Sequence, residues 1–188
     1  MPDARRSATE SEIAALSSAV RLRIIRLTHV DALTNAELAA RLGRDPATTL
    51  HHVRRLVANG FLAAQPARRG ARGSREIPYR STGLSWSLDG AGDHEPVAEA
   101  GLEAFLGEVA DVGPAALEQT RLVLRLPPAR VAALRAELDE LLERYVAEPV
   151  VPGAEPLAVY LALYPGDPPG ETDRTAAPGT WDTRKQDD

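Results

Sequence analysis

The side chains best suited to chemistry in this sequence lie on one short segment, Asp45–Asn59, whose pattern predicts a helix. Asp45 and Pro46 mark its start, since aspartate is a good N-cap and proline a good first helical residue. Its outward face carries five polar or basic side chains: Thr48, His51, His52, Arg54 and Arg55. A threonine can contact a base edge or a thymine methyl, a histidine can bond a base or a phosphate, and the arginines suit phosphates.

Two other interpretations of this face stay open. A solvated polar face on an ordinary three-helix domain would carry the same residues. A metal site at His51 and His52 is the other, but adjacent helical residues point about 100° apart and metal-binding pairs are usually three or four residues apart. We therefore predict no metal ligand here.

A basic loop follows the helix and favours nucleic-acid binding. Phe61–Ala64 is typical of a strand start and Glu76–Ser81 of its return. Residues 67–75 between them hold two glycines and four arginines: Arg68, Arg69, Arg72 and Arg75. A hairpin after a recognition helix is a wing, whose arginines would straddle the phosphate backbone or enter a narrow minor groove. A solvated basic loop is the alternative.

The elements that must position these side chains are marked by capping signals. Thr9–Glu12 and Thr34–Glu37 each fit a capping box, the first helix can break at Ser17–Ser18, and Gly43 ends the second. Two short helices joined by a tight glycine turn make a helix-turn-helix unit. The expected inward residues are Ile13, Leu16, Val20, Ile24 and Leu27, then Leu38, Ala39 and Leu42, then Thr49, Val53, Leu56 and Val57.

Three blocks together resemble the ArsR-type winged helix-turn-helix regulators. They are Ala15–Leu27, Leu33–Gly43 and His51–Leu62, and they keep the family's order and spacing within residues 10–88. The resemblance implies a winged-helix fold, binding to double-stranded DNA, and repression. It also implies a dimer in which the helix after the wing takes part.

The sequence departs from that family pattern at several points. Ala19 stands where members usually have proline, and Leu50 where many carry a serine that faces DNA. Metal-sensing members use cysteine pairs or sets of histidine and carboxylate near the dimer helices. This chain has no cysteine and no histidine in either long C-terminal helix. Metal-responsive release from DNA is therefore not expected, and no cofactor is predicted.

The net charge of −5 hides two halves of opposite sign. Residues 1–80 hold fourteen arginines against seven acidic residues, a net +7. Residues 81–188 hold eight basic residues against twenty acidic ones, a net −12. Such asymmetry indicates separate tasks for the two halves, with phosphate contacts confined to the first.

The acidic half predicts a helix followed by a small strand–helix–strand region. Glu95–Val112 fits a helix with Ala98, Leu102, Phe105, Leu106 and Val109 on one side. Arg121–Leu126 and Leu157–Leu163 alternate like half-buried strands, around a helix with a stripe of Val131, Leu134, Leu138, Leu141 and Tyr145. Because two strands and one helix bury too little to stand alone, we expect them to pack on the rest of the chain or to complete a sheet with a partner subunit.

The predicted fold class is α+β, in four parts along the chain. Residues 1–8 form a loose tail, 9–88 a winged helix-turn-helix DNA-binding domain, 95–164 a dimerisation and effector region, and 165–188 a second tail, with a turn-rich linker at 89–95. An apolar effector would bind between the last helix and last strand, where Tyr145 or Tyr160 would be a polar handle. Both tyrosines suit a core equally well.

Other function classes are not expected. No run of 18 apolar residues is present and the N-terminus is polar, so neither a membrane span nor a secretory signal is predicted and the cytoplasm is the default location. The chain also lacks a phosphate loop, a dinucleotide fingerprint and a nucleophile motif, so it is not expected to be an enzyme. Four carboxylates on the last helix fit a solvated face: Glu137, Asp139, Glu140 and Glu143.

The sequence therefore predicts a homodimeric transcriptional regulator, a repressor by the family's habit. Its two recognition helices would enter successive major grooves of a pseudo-palindromic operator, and a small-molecule effector would release the DNA. The alternative is a protein-interaction module whose winged helix docks a partner protein. That alternative requires apolar residues on the wing, where this sequence has arginine.

Overall fold

A computed structural model describes residues 5–70, 73–149, 151 and 153–166. They fall into two compact units, one running up to Glu118 and including Pro149–Leu157, the other comprising Gln119–Glu148 and the residues from Ala158 onward. The helices are α1 (Glu10–Leu16), α2 (Ala19–Val30), α3 (Asn35–Leu42), α4 (Pro46–Ala58), α5 (Glu95–Val112) and α6 (Pro128–Val146). The strands are β1 (Arg6–Ser7), β2 (Leu33–Thr34), β3 (Leu62–Ala64), β4 (Arg68–Arg69), β5 (Arg75–Glu76), β6 (Pro78–Ser81) and β7 (Leu88–Asp89). This mixture confirms the α+β class.

Both predicted capping boxes form. The backbone N–H of Thr9 donates to Glu12 Oε2 at 2.8 Å, and that of Glu12 donates to Thr9 Oγ1 at 3.3 Å. Thr34 and Glu37 make the same reciprocal pair at the start of α3, with distances of 2.7 and 3.3 Å. Each box satisfies two of the four N–H groups that a helix start leaves without intrahelical partners.

A buried arginine closes the break between α1 and α2, which lies at Ser17–Ser18 as predicted. Arg21 Nη2 donates to the carbonyl of Ala14 at 2.8 Å, and Arg21 Nε donates to the carbonyl of Ala15. Because the last carbonyls of a helix have no intrahelical partner, Arg21 satisfies two of them at the end of α1. Burial, followed by the charge of Arg55, lowers the pKa of Arg21.

The hydrophobic core lies where α2, α3 and α4 meet the antiparallel sheet β2–β6–β3. In that sheet Leu62 lies opposite Ser81 and Leu33 opposite Tyr79. Between α3 and α4, Gly43 takes the left-handed conformation with φ +61°, which only glycine adopts without steric cost. The large hydrophobic side chains that are at most 1% exposed are Ile24, Leu38, Val53, Leu56 and Phe61.

Within the tail predicted over residues 1–8, residues 6 and 7 form a short strand. Arg6–Ser7 pairs in parallel with Leu88–Asp89, and the guanidinium of Arg5 lies 5.3 Å from the ring centroid of Trp86. A two-residue strand shows no periodicity, and its partner is some eighty residues away, so the local pattern could not reveal it. This strand ties the N-terminus to the segment that precedes α5.

Arg6 also holds the carboxylate of Glu12 in its ionised form. Hydrogen bonds from Arg6 at 2.9 and 2.6 Å, followed by those from Thr9, lower the pKa of Glu12 from 4.5 to about 2. The folded-state pKa is thus depressed, so the stabilisation is present above the unfolded value and is lost as the pH falls toward 2.

We therefore expect Glu12→Gln, which keeps the capping box, to lower the free energy of unfolding at pH 7 by about 1–2 kcal/mol. At pH 2 the variant and the parent chain should differ little. Urea unfolding between pH 7 and pH 2 measures both values. An equal difference at the two ends of that range would contradict the assignment.

Helix α5 belongs with the first compact unit, whereas the sequence predicts a linker at residues 89–95 and assigns the helix to the region after it. It packs on α2, and its end is paired with that helix through Arg26 Nε and Glu108 Oε1, 2.5 Å apart, and through Arg23 with Asp111. The side chains that α5 buries are Val97, Ala100 and Ala104. Two of these are alanines, which let the helix axes approach closely, a contact that periodicity of large residues does not reveal.

The apolar side predicted for α5 is therefore rotated away from the observed one. Its bounds, Glu95–Val112, are as predicted, but Leu102 and Leu106 are 48% and 56% exposed. Together with Ala19 and Val20 of α2 they line an open groove of about 550 Å³.

Neither predicted C-terminal strand forms a ladder within the described chain. Helix α6 is present, whereas residues 121–126 and 157–163 form no strand ladder with another described residue. A strand exists only beside a hydrogen-bonded neighbour, and two strands with one helix are too few to hold each other. The predicted effector pocket therefore lacks its sheet, and Tyr145 and Tyr160 are both exposed.

Two further expectations concern the chain ends and the membrane. The second tail was predicted over 165–188, and from residue 167 it lies outside the described residues. Over the ranges that the structure covers, no helix has the length and apolar character to cross a bilayer.

Candidate nucleic-acid interface

The recognition face predicted on α4 is turned outward. Thr48, His51, Arg54 and Arg55 are exposed, and His52 is half-buried. The opposite face carries Thr49, Val53 and Leu56 into the core, where each is fully buried. The predicted inward residue Val57 is instead 37% exposed, because it follows Leu56 by about 100° around the helix and falls at the margin of the buried stripe.

The start of α4 is fixed by its N-cap. Asp45 Oδ1 accepts hydrogen bonds from the backbone N–H groups of Ala47 and Thr48 at 2.9 and 3.0 Å. Thr49 Oγ1 donates to the carbonyl of Asp45 at 2.9 Å. Asn35 of α3 reaches across the turn and donates to the carbonyl of Pro46 at 2.9 Å. These bonds set the angle at which Thr48 leaves the protein surface.

The two adjacent histidines differ in environment. Their ring centroids are 6.0 Å apart with the planes at 70°, and His52 Nδ1 is buried without a hydrogen-bond partner in the described chain. Burial is the largest cause of a lowered pKa for His52, with the positive charge of Arg21 next. His52 is thus held neutral near pH 7, whereas His51 projects to solvent. Among the described residues no three His, Asp or Glu side chains form a metal-binding group.

The arginines of α4 diverge. Arg54 is exposed on the outward face. Arg55 turns back toward α1, where its Nη2 donates to the carbonyl of Ala14 at 3.4 Å. Arg55 therefore shares an acceptor with the buried Arg21. Although its side chain is exposed, its guanidinium points toward α1 and must turn away from it to contact a ligand.

The wing is a hairpin in which β4 and β5 pair antiparallel. Arg69 lies directly opposite Arg75, and both are exposed. Like charges directly opposite on a two-stranded ribbon are destabilising, so the hairpin carries a repulsion that a bound anion would relieve. Arg72, the fourth predicted wing residue, lies outside the described residues.

Arg68 has two acidic neighbours. Its Nη2 lies 2.5 Å from Glu37 Oε1, and its Nε lies 3.9 Å from Glu76 Oε2. Glu37 is the residue that completes the capping box of α3, so one carboxylate both caps that helix and holds the wing against it. Hydrogen bonds from Thr34 are the largest cause of the lowered pKa of Glu37, and the charge of Arg68 adds to it.

The structure thus places most of the predicted residues on two elements of one unit, helix α4 and the β4–β5 hairpin. Glu37 and Arg21 were not among the predicted site residues. The capping box at Thr34–Glu37 marks Glu37 in the sequence, but nothing local marks its pairing with Arg68. For Arg21 the only sequence signal is an arginine between apolar residues on α2.

A protein-family model described as a helix-turn-helix domain matches residues 16–64. No curated protein matches the chain. The solved structures similar to it include reduced HlyU from Vibrio cholerae, at 21% identity and TM-score 0.32, covering 51% of this chain and 84% of that one. The transcriptional regulator Tm0710 from Thermotoga maritima has 18% identity and TM-score 0.32, covering 69% and 79%.

A third similar structure is the F27L variant of MepR from S. aureus bound to an oligodeoxyribonucleotide, at 16% identity and TM-score 0.28, covering 73% of this chain and 79% of that one. The match over residues 16–64 spans α2, α3, α4 and β3, the elements that position the exposed face described above. The chain therefore carries a helix-turn-helix domain within an α+β winged-helix fold.

Proposed function

We propose that this protein is a sequence-specific regulator of transcription that binds double-stranded DNA. Helix α4 would lie in the major groove with Thr48 and His51 toward the bases, and the wing would contact the flanking phosphates. His52 is placed in a supporting role, because its ring is half-buried. No protein group in this proposal performs covalent chemistry.

The observation that carries the proposal is the arginine pair across the wing. Arg69 and Arg75 face each other on a ribbon with both side chains exposed, beside a recognition helix whose exposed face is polar and basic. Phosphate contacts of this kind fix the register of a protein on DNA, and groove contacts supply the sequence preference. A wing that docked a protein would require apolar residues in these positions.

The finer parts of the proposal are a homodimer, repression and release by a small molecule. One module contacts too little DNA for useful specificity, so two copies on a pseudo-palindromic operator are needed. The groove between α2 and α5, at about 550 Å³, has the size of a small-molecule site. Leu102 and Leu106 give it an apolar wall, and Arg23 and Arg44 lie at its edge.

A salt titration of duplex binding tests this proposal. We expect the affinity of the full chain for a 30-bp duplex to fall steeply as salt rises, with a linear relation between log affinity and log salt. Fluorescence anisotropy with a labelled duplex measures it. Absence of binding at low salt would overturn the proposal, as would an affinity that does not respond to salt.

The pairing of Arg68 with Glu37 makes a distinct prediction. Glu37→Gln keeps the capping box, since glutamine serves at that position, but removes the charge that holds Arg68. We expect duplex affinity at low salt to rise about two- to fivefold. The slope of log affinity against log salt should steepen by at most about one, the contribution of one phosphate contact. Glu118→Gln, outside the helix-turn-helix, is the matched control. A fall in affinity for Glu37→Gln would show that Arg68 must be held by Glu37 to contact DNA.

A further inference from the structure

Cationic side chains from three elements act on His52 of α4. They are Arg21 of α2, Arg44 between α3 and α4, and His51 and Arg55 of its own helix. On α1, Glu12 is paired with Arg6, and Glu10 is exposed at the helix start. Asp45 accepts the N-cap bonds of α4. The charges that the described chain brings to bear on His52 are thus all of one sign, and a bound anion would relieve their repulsion.

The ring of His52 leaves one hydrogen bond unmade. The ring is half-buried, and its Nδ1 is buried without a partner in the described chain. Buried polar atoms normally have a partner, because an unmade bond costs the free energy of desolvation. A protonated imidazole donates from both nitrogens, so an acceptor that carries negative charge suits this ring best.

Arg55 can leave its position in the free protein at little cost. Its Nη2 lies 3.4 Å from the carbonyl oxygen of Ala14, at the long limit for a hydrogen bond. Arg21 Nη2 donates to the same oxygen at 2.8 Å, and Arg21 is only 8% exposed. The carbonyl therefore keeps a donor when Arg55 turns away. Arg44 is also available, because it is exposed and forms no ion pair with a described carboxylate.

This cluster continues the recognition face of α4. Four residues of that helix stand at positions i, i+3, i+4 and i+7 and share one stripe: Thr48, His51, His52 and Arg55. His52 lies three residues after the buried Thr49 and four before the buried Leu56, so it is the member of the stripe nearest the core. A helix that turns Thr48 and His51 toward the bases brings this margin of the stripe to the phosphates that border the groove.

We infer that Arg44, His52 and Arg55 form a phosphate-binding site distinct from the wing. In a complex with DNA the ligand is a backbone phosphate beside α4. Arg55 gives up its bond to Ala14 and joins Arg44 on the phosphate oxygens, which suit guanidinium groups, while His52 takes up a proton from solvent and donates to them. The inference rests on the proposed function in that DNA supplies the phosphate.

Proton uptake gives the site a pH dependence of definite sign. In the free protein, burial followed by the charge of Arg21 holds the pKa of His52 below its ordinary value. A bound phosphate places negative charge beside the ring and raises that pKa. Because the bound state then holds more protons than the free state, phosphate affinity rises as the pH falls from the bound-state pKa toward the free-state pKa.

NMR titration of the His52 ring protons in the full chain, with and without inorganic phosphate, tests the site in the absence of DNA. We expect phosphate to raise the pKa of His52 in the parent chain, and Arg44→Gln to weaken phosphate binding about threefold or more. Arg41→Gln is the matched control, since it removes the same charge from an exposed position on α3 and should leave phosphate binding within about twofold of the parent value. A His52 pKa that does not respond to phosphate would overturn the inference, as would equal phosphate binding by the two variants.

Duplex binding at low salt separates this inference from the proposed function. We expect Arg44→Gln to lower duplex affinity about three- to tenfold and to make the slope of log affinity against log salt shallower by about one, with Arg41→Gln close to the parent chain. A parent chain that binds the duplex while the two variants bind it equally well overturns the inference and leaves DNA binding in place. A His52 pKa that responds to phosphate in a protein that binds no duplex supports the site as one for free phosphate and overturns the proposed function.

Discussion

Replacing Arg68, Arg69 and Arg75 together with alanine is expected to weaken duplex DNA binding by on the order of 10²–10³-fold at low salt. Each arginine that neutralises a phosphate releases a condensed counterion, so the slope of log affinity against log salt should become shallower by about two to three. The slope change is about three when all three arginines contact phosphates. It is about two when Arg68 stays paired with Glu37, as it is in the free protein.

The control for this prediction removes the same charge elsewhere. Arg121, Arg130 and Arg144, all exposed in the second unit, are replaced together by alanine. The slope should then stay at the parent value, since these arginines lie outside the helix-turn-helix and the wing. Equal losses in the two triple variants would mean that binding responds to total charge and that the wing has no particular role.

Replacing Arg21 with methionine is expected to lower the free energy of unfolding by about 2–4 kcal/mol. The substitution fills the space of the side chain but removes the donor to the carbonyl of Ala15 and leaves the carbonyl of Ala14 with only the longer bond from Arg55. It also removes a positive charge that lowers the pKa of His52. That pKa should therefore rise, though not to its ordinary value, because burial is the larger cause.

Arg26→Met, on the same helix, is the matched control. Arg26 is 45% exposed, so solvent screens its charge and the loss should not exceed about 1 kcal/mol. Urea unfolding measures both variants, and NMR titration of the His52 ring protons measures the pKa. A stability loss for Arg21→Met no larger than that for Arg26→Met would contradict the closing role of Arg21.

The sequence predicts those parts of the fold that depend on contacts between residues close together in the chain. The pairs Thr9–Glu12 and Thr34–Glu37, and Asp45 ahead of Pro46, lie within four residues of one another and mark helix starts by themselves. The break at Ser17–Ser18 and the turn at Gly43 are local in the same sense. Once these ends are fixed, the outward direction of Thr48 and His51 follows from helical geometry.

The parts that could not be predicted depend on distant partners. The pairing of β1 with β7, and the contact of Arg68 with Glu37, join residues far apart in the chain and leave no periodic trace. The rotation of α5 depends on Ala100 and Ala104, which mark the close approach of two helices only once the partner helix is known. Alternation in residues 121–126 and 157–163 indicates a strand, but a strand also needs a hydrogen-bonded neighbour, and the part of the chain that the structure describes supplies none.

Selection of duplexes from a random-sequence library by the full chain tests the central claim most directly. Two copies of the chain present two α4 recognition helices. They should enrich a pseudo-palindrome whose half-sites are about 10–10.5 bp apart, or a multiple of that spacing. Thr48→Ala should change the preferred base within each half-site without changing the spacing. A library that emerges with no enriched sequence, although the protein retains duplex at low salt, would contradict sequence-specific recognition by α4.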